Sequence, residues 1–442
     1  MEGEGKAEAD GDVRTLPSQP AEEAKVHSPE GSQHDASHRK PPDAIDETGI
    51  SFDISGSSQI GSTARRPSRK NDGVDSSWHN MDGTTNGGKR NYFANRAILA
   101  SGPPRPKPNP ADVKLMDSAN ISHEFYVPFS EIQWISNLSE GAMGEVHRVK
   151  WRGHDCAAKQ LKGKHISNPS SQMYKDILKE IYIMSKIGLH PHIVAFYGVC
   201  SGPGGNPVIL LELVNGPTLD HFLASMEGMQ LHWRKQRPTL AAWTRGLLKG
   251  LAFLHDREPM IMHRDLKPGN LLLAEGLRTI KIADFGVSRT LRKKERLQRT
   301  LTGMTGTRRY MAPEVYGCKQ GMYTEKADIY SCTLVIWEIA TGLKPFFDVP
   351  PAELTSVKNR EKIRPSLEHV EWKEFAGLIE KGWNKVPEAR PTAIEMLQEL
   401  ESLPGLPDPS VEISPMGSKS LMQPTAIAGE GSIKGGCSCV IL

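Results

Sequence analysis

Three oxygen-bearing side chains in the middle of the sequence have the types and spacing needed for chemistry on phosphates. Asp265 and Asn270 lie in the segment IMHRDLKPGNLLL, and Asp284 follows fourteen residues after Asn270 in KIADFG. Oxygen ligands such as those of Asn270 and Asp284 are preferred by Mg²⁺, which neutralises nucleotide phosphates during phosphoryl transfer. The transfer also needs an acceptor for the proton of the attacking hydroxyl, and Asp265 is suitably spaced for that role. The ordered set predicts phosphoryl transfer with Mg²⁺ or Mn²⁺ as the cation.

A glycine-containing turn and a lysine precede this set. Gly141 and Gly144 lie in LSEGAMGEV, between the strand-like runs EIQWIS and VHRVKW, where backbone amides could lie over phosphates. Lys159 follows in CAAKQL, on a strand that would direct it to the same face as the turn. We interpret the turn and the lysine as a phosphate-binding pair.

The composition excludes several other classes of function. Fifty-five Lys and Arg residues oppose 52 Asp and Glu residues, so the net charge of +3 selects neither nucleic acid nor an anionic membrane. The six cysteines include no CxxC pair, and no run approaches 18 uncharged apolar residues. The acidic N-terminus has no signal-peptide pattern. We expect a cytoplasmic protein with no nucleic-acid partner, soluble unless a lipid is attached.

The pattern of apolar residues predicts one folded unit with two flanks. Residues 1–124 are poor in large apolar residues and rich in Ser, Gly, Pro, Asp and Lys, which predicts disorder. From residue 125 to 403, strand-like runs alternate with helical spacing, as at Ile177, Ile181 and Met184. Residues 404–442 are again rich in Gly, Ser and Pro, which predicts a flexible tail.

These motifs resemble those of eukaryotic protein kinases. HRDLKPGN, with Lys267, resembles the catalytic loop of the Ser/Thr type, and GTRRYMAPE resembles the end of an activation segment. WRGHDCAAKQL, ADFGVSR and EARPT resemble the tyrosine-kinase-like group. The resemblance covers roughly residues 129 to 401 and implies an α+β, bilobal fold. A small β-rich N-lobe would span about 125–213 and a larger, mainly α-helical C-lobe about 214–403.

The resemblance also implies roles for single residues. The catalytic set would be Asp265, Lys267, Lys159 and Thr307, with Thr307 contacting Asp265 and Lys267, and the metal ligands would be Asn270 and Asp284. ATP would be bound by Lys159, which pairs with Glu180, and by Gly141, Gly144, Val146, Ala157, Glu212, Val214 and Leu272. Leu211 would guard the rear of the adenine pocket. The remaining expected contacts are scaffold: a spine of Met184, Phe196, His263 and Phe285, Asp328 under the catalytic loop, and a Glu314–Arg390 ion pair.

The phosphate loop departs from the usual GxGxxG pattern. Ser139 stands at the first glycine, and Met143 replaces the bulky aromatic residue at the tip. Serine has less backbone freedom than glycine, so we expect a stiffer loop or a higher Michaelis constant for ATP without loss of transfer.

Two further segments predict modification. Thr302 and Thr305 lie in the activation loop, where a phosphate would meet Arg264. The final residues CSCVIL place Cys439 in a CaaX prenylation pattern, with Cys437 as a second lipidation candidate. A prenylated chain would attach to the cytosolic face of a membrane.

The sequence therefore predicts a Ser/Thr kinase acting on protein substrates in signalling. A lipid-anchored pseudokinase scaffold is one alternative, and it predicts loss of Lys159, Asp265, Asn270 or Asp284, all of which are present. A dual-specificity or tyrosine kinase is the other.

Overall fold

The structure is a computed structural model that describes residue 95 and residues 106–141, 144–161, 170–225, 237–291, 307–317, 323–359 and 363–406. Within these ranges the chain forms a β-rich N-lobe and a mainly helical C-lobe, which confirms the predicted bilobal α+β fold. No helix in the described ranges is long and apolar enough to span a membrane.

A short helix, α1 (Pro110–Ala119), precedes the N-lobe sheet. The side chain of Asn109 caps its first turn by accepting a 2.9 Å hydrogen bond from the amide of Asp112, and Asn120 ends it with a left-handed φ of 52°. Leu115 and Met116 on this helix are buried in the main hydrophobic core. The predicted boundary at residue 125 is therefore corrected, because residues 106–124 are ordered by tertiary packing that their composition does not reveal. Apart from Asn95, the rest of the predicted disordered region lies outside the described residues.

A five-stranded antiparallel sheet forms the N-lobe. Its strands are β1 (Gln133–Gly141), β2 (Gly144–Trp151), β3 (His154–Leu161), β4 (Phe196–Ser201) and β5 (Pro207–Glu212), in the order β1-β2-β3-β5-β4. The register places Val146 opposite Lys159 and Ala157 opposite Leu211. Because alternate residues share one face of a strand, Ala157 and Lys159 project from the same side of the sheet.

Helix α2 (Gln172–Ile187) packs against strand β4 and carries the predicted apolar face. The hydroxyl of Ser171 caps it by accepting from the amide of Tyr174 at 3.1 Å. Ile177, Ile181 and Met184, spaced as the sequence predicted, are all buried in the main core. Packing of this face fixes which way the opposite, polar residues of the helix point.

The C-lobe is mainly helical, and one of its helices, Lys326–Thr341, is almost completely buried. Its helices are α3 (Leu219–Ser225), α4 (Arg237–His255), α5 (Pro313–Gly317), α6 (Lys326–Thr341), α7 (Leu354–Asn359), α8 (Lys373–Gly382) and α9 (Ala393–Glu401). Helix α6 is buried along almost its whole length, as expected for a helix that is apolar on all sides. Helix α4 packs against α9 on one side and α6 on another.

Two small sheets lie where the lobes meet. Strand β6 (Met260–Met262) pairs with β9 (Arg289–Leu291), and β7 (Leu271–Ala274) pairs with β8 (Thr279–Ile282). The segment between β6 and β7 contains His263–Asn270, here called the HRD loop. Asp284 follows the end of β8, separated from it by one residue. The short pairings therefore hold the predicted chemical residues on rigid backbone.

Candidate active site

Lys159 and Glu180 form a buried ion pair between strand β3 and helix α2. Lys159 Nζ lies 2.7 Å from Glu180 Oε1, and both side chains are less than a tenth exposed. Burial alone would lower the pKa of Lys159, but the charges of Glu180 and Asp284, with the hydrogen bond to Glu180, raise that pKa above its ordinary value. The lysine is therefore charged at neutral pH, and the pairing expected from the sequence is present.

The carboxylate of Asp265 is held by three neighbours. Its Oδ1 accepts a 2.7 Å hydrogen bond from the backbone amide of Thr307, and its Oδ2 lies 2.8 Å from Lys267 Nζ. Asn270 Nδ2 donates to the backbone oxygen of Asp265 at 2.8 Å and to Oδ2 at 3.2 Å. The structure thus brings Asp265, Lys267 and Thr307 together, with Thr307 acting through its amide. An acceptor carboxylate held this way has a fixed orientation.

A buried carboxylate under the HRD loop fixes its backbone. Asp328 on α6 accepts 2.8 Å hydrogen bonds from the amides of His263 and Arg264, and His255 Nε2 lies 3.0 Å away. Burial tends to raise the pKa of Asp328, but the hydrogen bonds and the nearby histidines lower it below its ordinary value. The expected support of the loop by Asp328 is therefore observed.

The two candidate metal ligands suit a cation that prefers oxygen. Asn270 Nδ2 is engaged with Asp265, while the buried Oδ1 of Asn270 has no hydrogen-bond partner in the part of the chain that the structure describes. Asp284 has a left-handed backbone, with φ of 58°, and its Oδ1 accepts from the amide of Gly286 at 3.2 Å. An unpaired buried oxygen is costly, and a hard divalent cation would satisfy it. Asn270 and Asp284 therefore fit the metal that phosphoryl transfer requires.

Glu180 lies beside the same turn as Asp284. A Cβ atom placed on Gly286 would lie 3.3 Å from Asp284 Oδ1 and 3.7 Å from Glu180 Oε2. The predicted phosphate-binding lysine, its carboxylate partner and the metal ligand Asp284 are consequently neighbours.

Apolar side chains from both lobes enclose the predicted adenine site. Val146 on β2, Ala157 on β3, Leu272 on β7 and Val214 after β5 are buried members of the main core, as is Leu211. Glu212 is also buried, and its amide donates to the backbone oxygen of Ala195 at 2.9 Å. Buried apolar side chains of this kind would provide the apolar lining that suits a flat base.

The phosphate turn is described only at its ends. Gly141 and Gly144 pair with each other where β1 meets β2, and Met143 lies outside the described residues. The modification candidates Thr302, Thr305, Cys437 and Cys439 also lie outside them.

The four side chains of the expected spine are all buried. Met184 on α2, Phe196 on β4, Phe285 and His263 belong to the main core or its buried polar lining. The rings of His263 and Phe285 meet edge to face at 5.2 Å, and His263 Nε2 lies 2.9 Å from the backbone oxygen of Ala283. The HRD loop and the Asp284 turn are therefore packed as one unit.

A buried ion pair that sequence reasoning missed joins strand β5 of the N-lobe to strand β8. Lys281 Nζ lies 3.0 Å from both carboxylate oxygens of Glu212, and one of these also accepts from the amide of Ala195 at 3.1 Å. Lys281 is 1% exposed. The available signal was a lysine within TIKI, because a charge on a fully buried strand requires a partner.

Three cationic residues interact beside the HRD loop: Arg264, Lys179 and Arg289. The sequence predicted a role for Arg264 but not for the other two. Arg264 Nε donates to the hydroxyl of Tyr323 at 2.6 Å. Burial, and then the charges of Arg264 and Arg289, lower the pKa of Lys179 on α2. The positive charges of Lys179, Arg264 and Arg289 therefore influence one another, and an anion between them would reduce their mutual repulsion.

The two-lobed domain, the buried pair of Lys159 with Glu180, the supported HRD loop and the candidate metal ligands together have the arrangement expected of a protein kinase domain. The sequence profile described as the protein kinase domain matches residues 132–400, and the chain belongs to the protein kinase family. Membership implies ATP, a divalent metal and protein substrates in general terms.

The relatives carry different specificities in their names. The chain is 35% identical over 285 residues to seven transmembrane domain-containing tyrosine-protein kinase 1 of Dictyostelium discoideum, covering 63% of this chain and 39% of the relative. It is 35% identical over 277 residues to dual specificity protein kinase shkA of the same organism, covering 62% and 50%. It is 31% identical over 293 residues to human serine/threonine-protein kinase TNNI3K, covering 66% and 33%. The chain thus spans half or less of each of these relatives. The resemblance to the tyrosine-kinase-like group is confirmed.

Proposed function

We propose that this protein is a Ser/Thr kinase that transfers the γ-phosphate of ATP to hydroxyl groups of protein substrates. The observation that carries the proposal is the fixed Asp265 carboxylate, held by Thr307 and paired with Lys267 at 2.8 Å. Asp265 would accept the proton of the attacking hydroxyl, and Lys267 would balance negative charge near the transferred group. Asn270 and Asp284 would hold the Mg²⁺ or Mn²⁺ that neutralises the phosphates.

The choice of Ser/Thr rests on Lys267 and on the name of the human relative, a serine/threonine-protein kinase. A dual-specificity or tyrosine kinase activity is the second candidate, because one relative above is named a dual specificity kinase and another a tyrosine-protein kinase. A positional peptide library, phosphorylated by the full-length protein, tests activity and residue preference together. Phosphoamino acid analysis of the product then decides between them: phosphotyrosine at a substantial fraction supports dual specificity. The Asp265→Asn variant is the control for a contaminating kinase.

Phosphorylation of Thr302 or Thr305 is proposed to raise activity. A phosphate adds a charge of about −1.5 to −2 at neutral pH and three acceptor oxygens. The cluster of Lys179, Arg264 and Arg289 would bind it, and Arg264 would exchange the hydroxyl of Tyr323 for the phosphate. Phosphatase treatment of protein whose phosphate has been verified by mass spectrometry should lower the specific activity, and unchanged activity would contradict this regulation.

We propose a cytoplasmic protein anchored to the cytosolic face of a membrane through Cys439. The proposal rests on the pattern CSCVIL. One prenyl chain commonly gives reversible attachment, and a stable anchor needs a second signal. The tail has no basic cluster, so palmitoylation of Cys437 would supply that signal.

A further inference from the structure

Residues 109–127, here called the N-terminal brace, are anchored to strand β4 by two hydrogen bonds. Asp112 Oδ1 accepts a 2.6 Å hydrogen bond from the amide of Ser201, and the amide of Val127 donates to the oxygen of Val199 at 3.1 Å. Asp112 is 1% exposed, so its carboxylate lies within the folded lobe. The two contacts attach the beginning and the end of the brace to the same strand.

The contact with β4 leaves no room for a side chain. A Cβ atom on Gly198 would lie 2.2 Å from the backbone oxygen of Phe125 and 2.7 Å from a methyl group of Val127. The φ of Gly198 is 153°, within the range that favours glycine. The brace is therefore seated closely on the sheet.

The other side of the brace packs against helix α2. Helix α1 contacts both helix α2 and strand β4. Leu115 and Met116 of α1 share the main hydrophobic core with Ile177 and Ile181 of α2, and Met116 is fully buried. Helix α2 is thus held between the sheet and the brace.

The brace also contacts the core that joins the lobes. The ring of Phe125 lies 5.3 Å from the ring of Phe196, which is a member of the expected spine. Helix α2 itself carries Met184 of that spine and Glu180 of the ion pair with Lys159. A displacement of α2 would therefore separate Glu180 from Lys159 and loosen the spine together.

We propose that the N-terminal brace is a positioning element that holds helix α2 where Glu180 can pair with Lys159, with Met116 and Phe125 as its positioning residues. The inference rests on the proposed kinase function and extends it to the control of the active site. If an element packs on α2 in just one of the positions that the helix can take, it shifts the equilibrium between those positions toward that one. Removing part of that packing lowers the population of the paired state while leaving every catalytic side chain in place.

The test uses full-length protein and four substitutions. Met116→Ala and Phe125→Ala weaken the brace, and Met116→Leu retains the apolar volume. Lys114→Ala changes an exposed residue of the same helix, and Leu400→Ala removes buried volume from α9 in the other lobe. For each protein we would measure kcat and KM for ATP, the thermal midpoint, and hydrogen exchange of peptides from residues 172–187.

Coupling between sites typically changes a binding or rate parameter at least fivefold, so Met116→Ala and Phe125→Ala should lower kcat/KM for ATP about five- to tenfold. Both should speed hydrogen exchange across α2. Met116→Leu should restore most of the activity, and Lys114→Ala should resemble the wild type. Leu400→Ala should lower the thermal midpoint at least as much as Phe125→Ala while keeping kcat/KM within about twofold of wild type, because α9 does not contact α2 extensively.

A merely structural role gives a different result. If Met116→Ala and Phe125→Ala lower the thermal midpoint but leave kcat/KM and α2 exchange unchanged, the proposal is overturned. Phe125 is only partly buried, so its variant remains informative if Met116→Ala does not fold. A wild-type protein with no transferase activity would instead defeat the proposed function, and exchange in α2 would still decide for or against the brace.

Discussion

Lys267 Nζ lies 2.8 Å from Asp265 Oδ2, so a cation and a carboxylate two residues apart meet on one side of the HRD loop. The other oxygen of Asp265 is engaged by the amide of Thr307. Thr307, Lys267 and Asn270, which orient the carboxylate, are not among the residues expected to contact ATP itself. This separation allows binding and transfer to be tested independently.

Asp265→Asn is expected to lower the rate of phosphoryl transfer at least about a hundredfold while nucleotide affinity stays unchanged. Lys159→Met is expected to reduce transfer to a similar extent and also to weaken nucleotide binding, since Lys159 would contact the phosphates. Steady-state kinetics with a peptide substrate and titration with a fluorescent ATP analogue measure the two effects. Lys175→Ala, on the exposed side of α2, is the matched control. Equal losses of affinity and rate in Asp265→Asn would contradict its assigned role.

Arg390→Leu is expected to destabilise the domain by about 3 kcal/mol or more, because it leaves the Glu314 carboxylate without its cation. The guanidinium donates to both oxygens of Glu314, at 2.6 and 2.9 Å, and to the backbone oxygens of Asn384 and Lys326. Arg390 is 1% exposed. Urea denaturation gives the free energy of unfolding. Arg148→Leu breaks the exposed pair with Asp155 and should cost less than about 1 kcal/mol. Equal losses of stability in the two variants would contradict the larger contribution expected of the buried pair.

Glu338 makes a pH-dependent contribution to stability. Burial raises the pKa of Glu338 from 4.5 to about 7, and the hydroxyl of Tyr310 donates to Glu338 Oε2 at 2.6 Å. Because the pKa is higher in the folded state, the folded state binds the proton more tightly than the unfolded state does. The free energy of unfolding is therefore larger at a pH where the carboxyl is protonated. That contribution is complete below pH 4.5 and is lost as the pH rises toward 7.

Glu338→Gln removes this titration and keeps the acceptor for Tyr310. Its stability relative to the wild type should therefore rise between pH 5 and pH 7.5, by up to about 3 kcal/mol, and level off above that range. Chemical denaturation at a series of pH values measures the difference. A difference that does not depend on pH would show that Glu338 is ionised throughout.

Cys439→Ser is expected to make the protein fully cytosolic, whereas Cys437→Ser should leave weak, exchanging membrane association. Fractionation of protein with an N-terminal tag measures both. Activity on a soluble peptide should be the same in all three proteins, because both changes lie well beyond the kinase domain. Equal membrane fractions for wild type and Cys439→Ser would reduce the CaaX pattern to coincidence.

The chemistry of the site could be predicted because it depends on local motifs. HRDLKPGN and KIADFG place Asp265, Asn270 and Asp284 on short segments whose backbone is set by neighbouring strands. The periodicity of Ile177, Ile181 and Met184 likewise identified the helix that carries Glu180. The contacts of Glu180 with Lys159 and of Glu314 with Arg390 came from family resemblance, and the structure contains both.

The features that were missed depend on contacts between distant segments. Lys281 and Glu212 are 69 residues apart, and each is an unremarkable charge until β8 is seen to be buried on both faces. Tyr323 meets Arg264 across 59 residues. Helix α1 follows a proline-rich stretch and has only ten residues, so its stability comes from tertiary packing that composition cannot show.

The packing of α1 has a practical consequence for any shortened form of this protein. A recombinant fragment that begins at residue 125, where the composition changes, would lack Leu115, Met116 and Asp112 and leave their apolar neighbours on α2 facing water. Uncovered apolar surface of this kind promotes aggregation and proteolytic cleavage. A fragment that begins at residue 106 would retain the helix together with its Asn109 cap, and it is the shorter form expected to remain monodisperse.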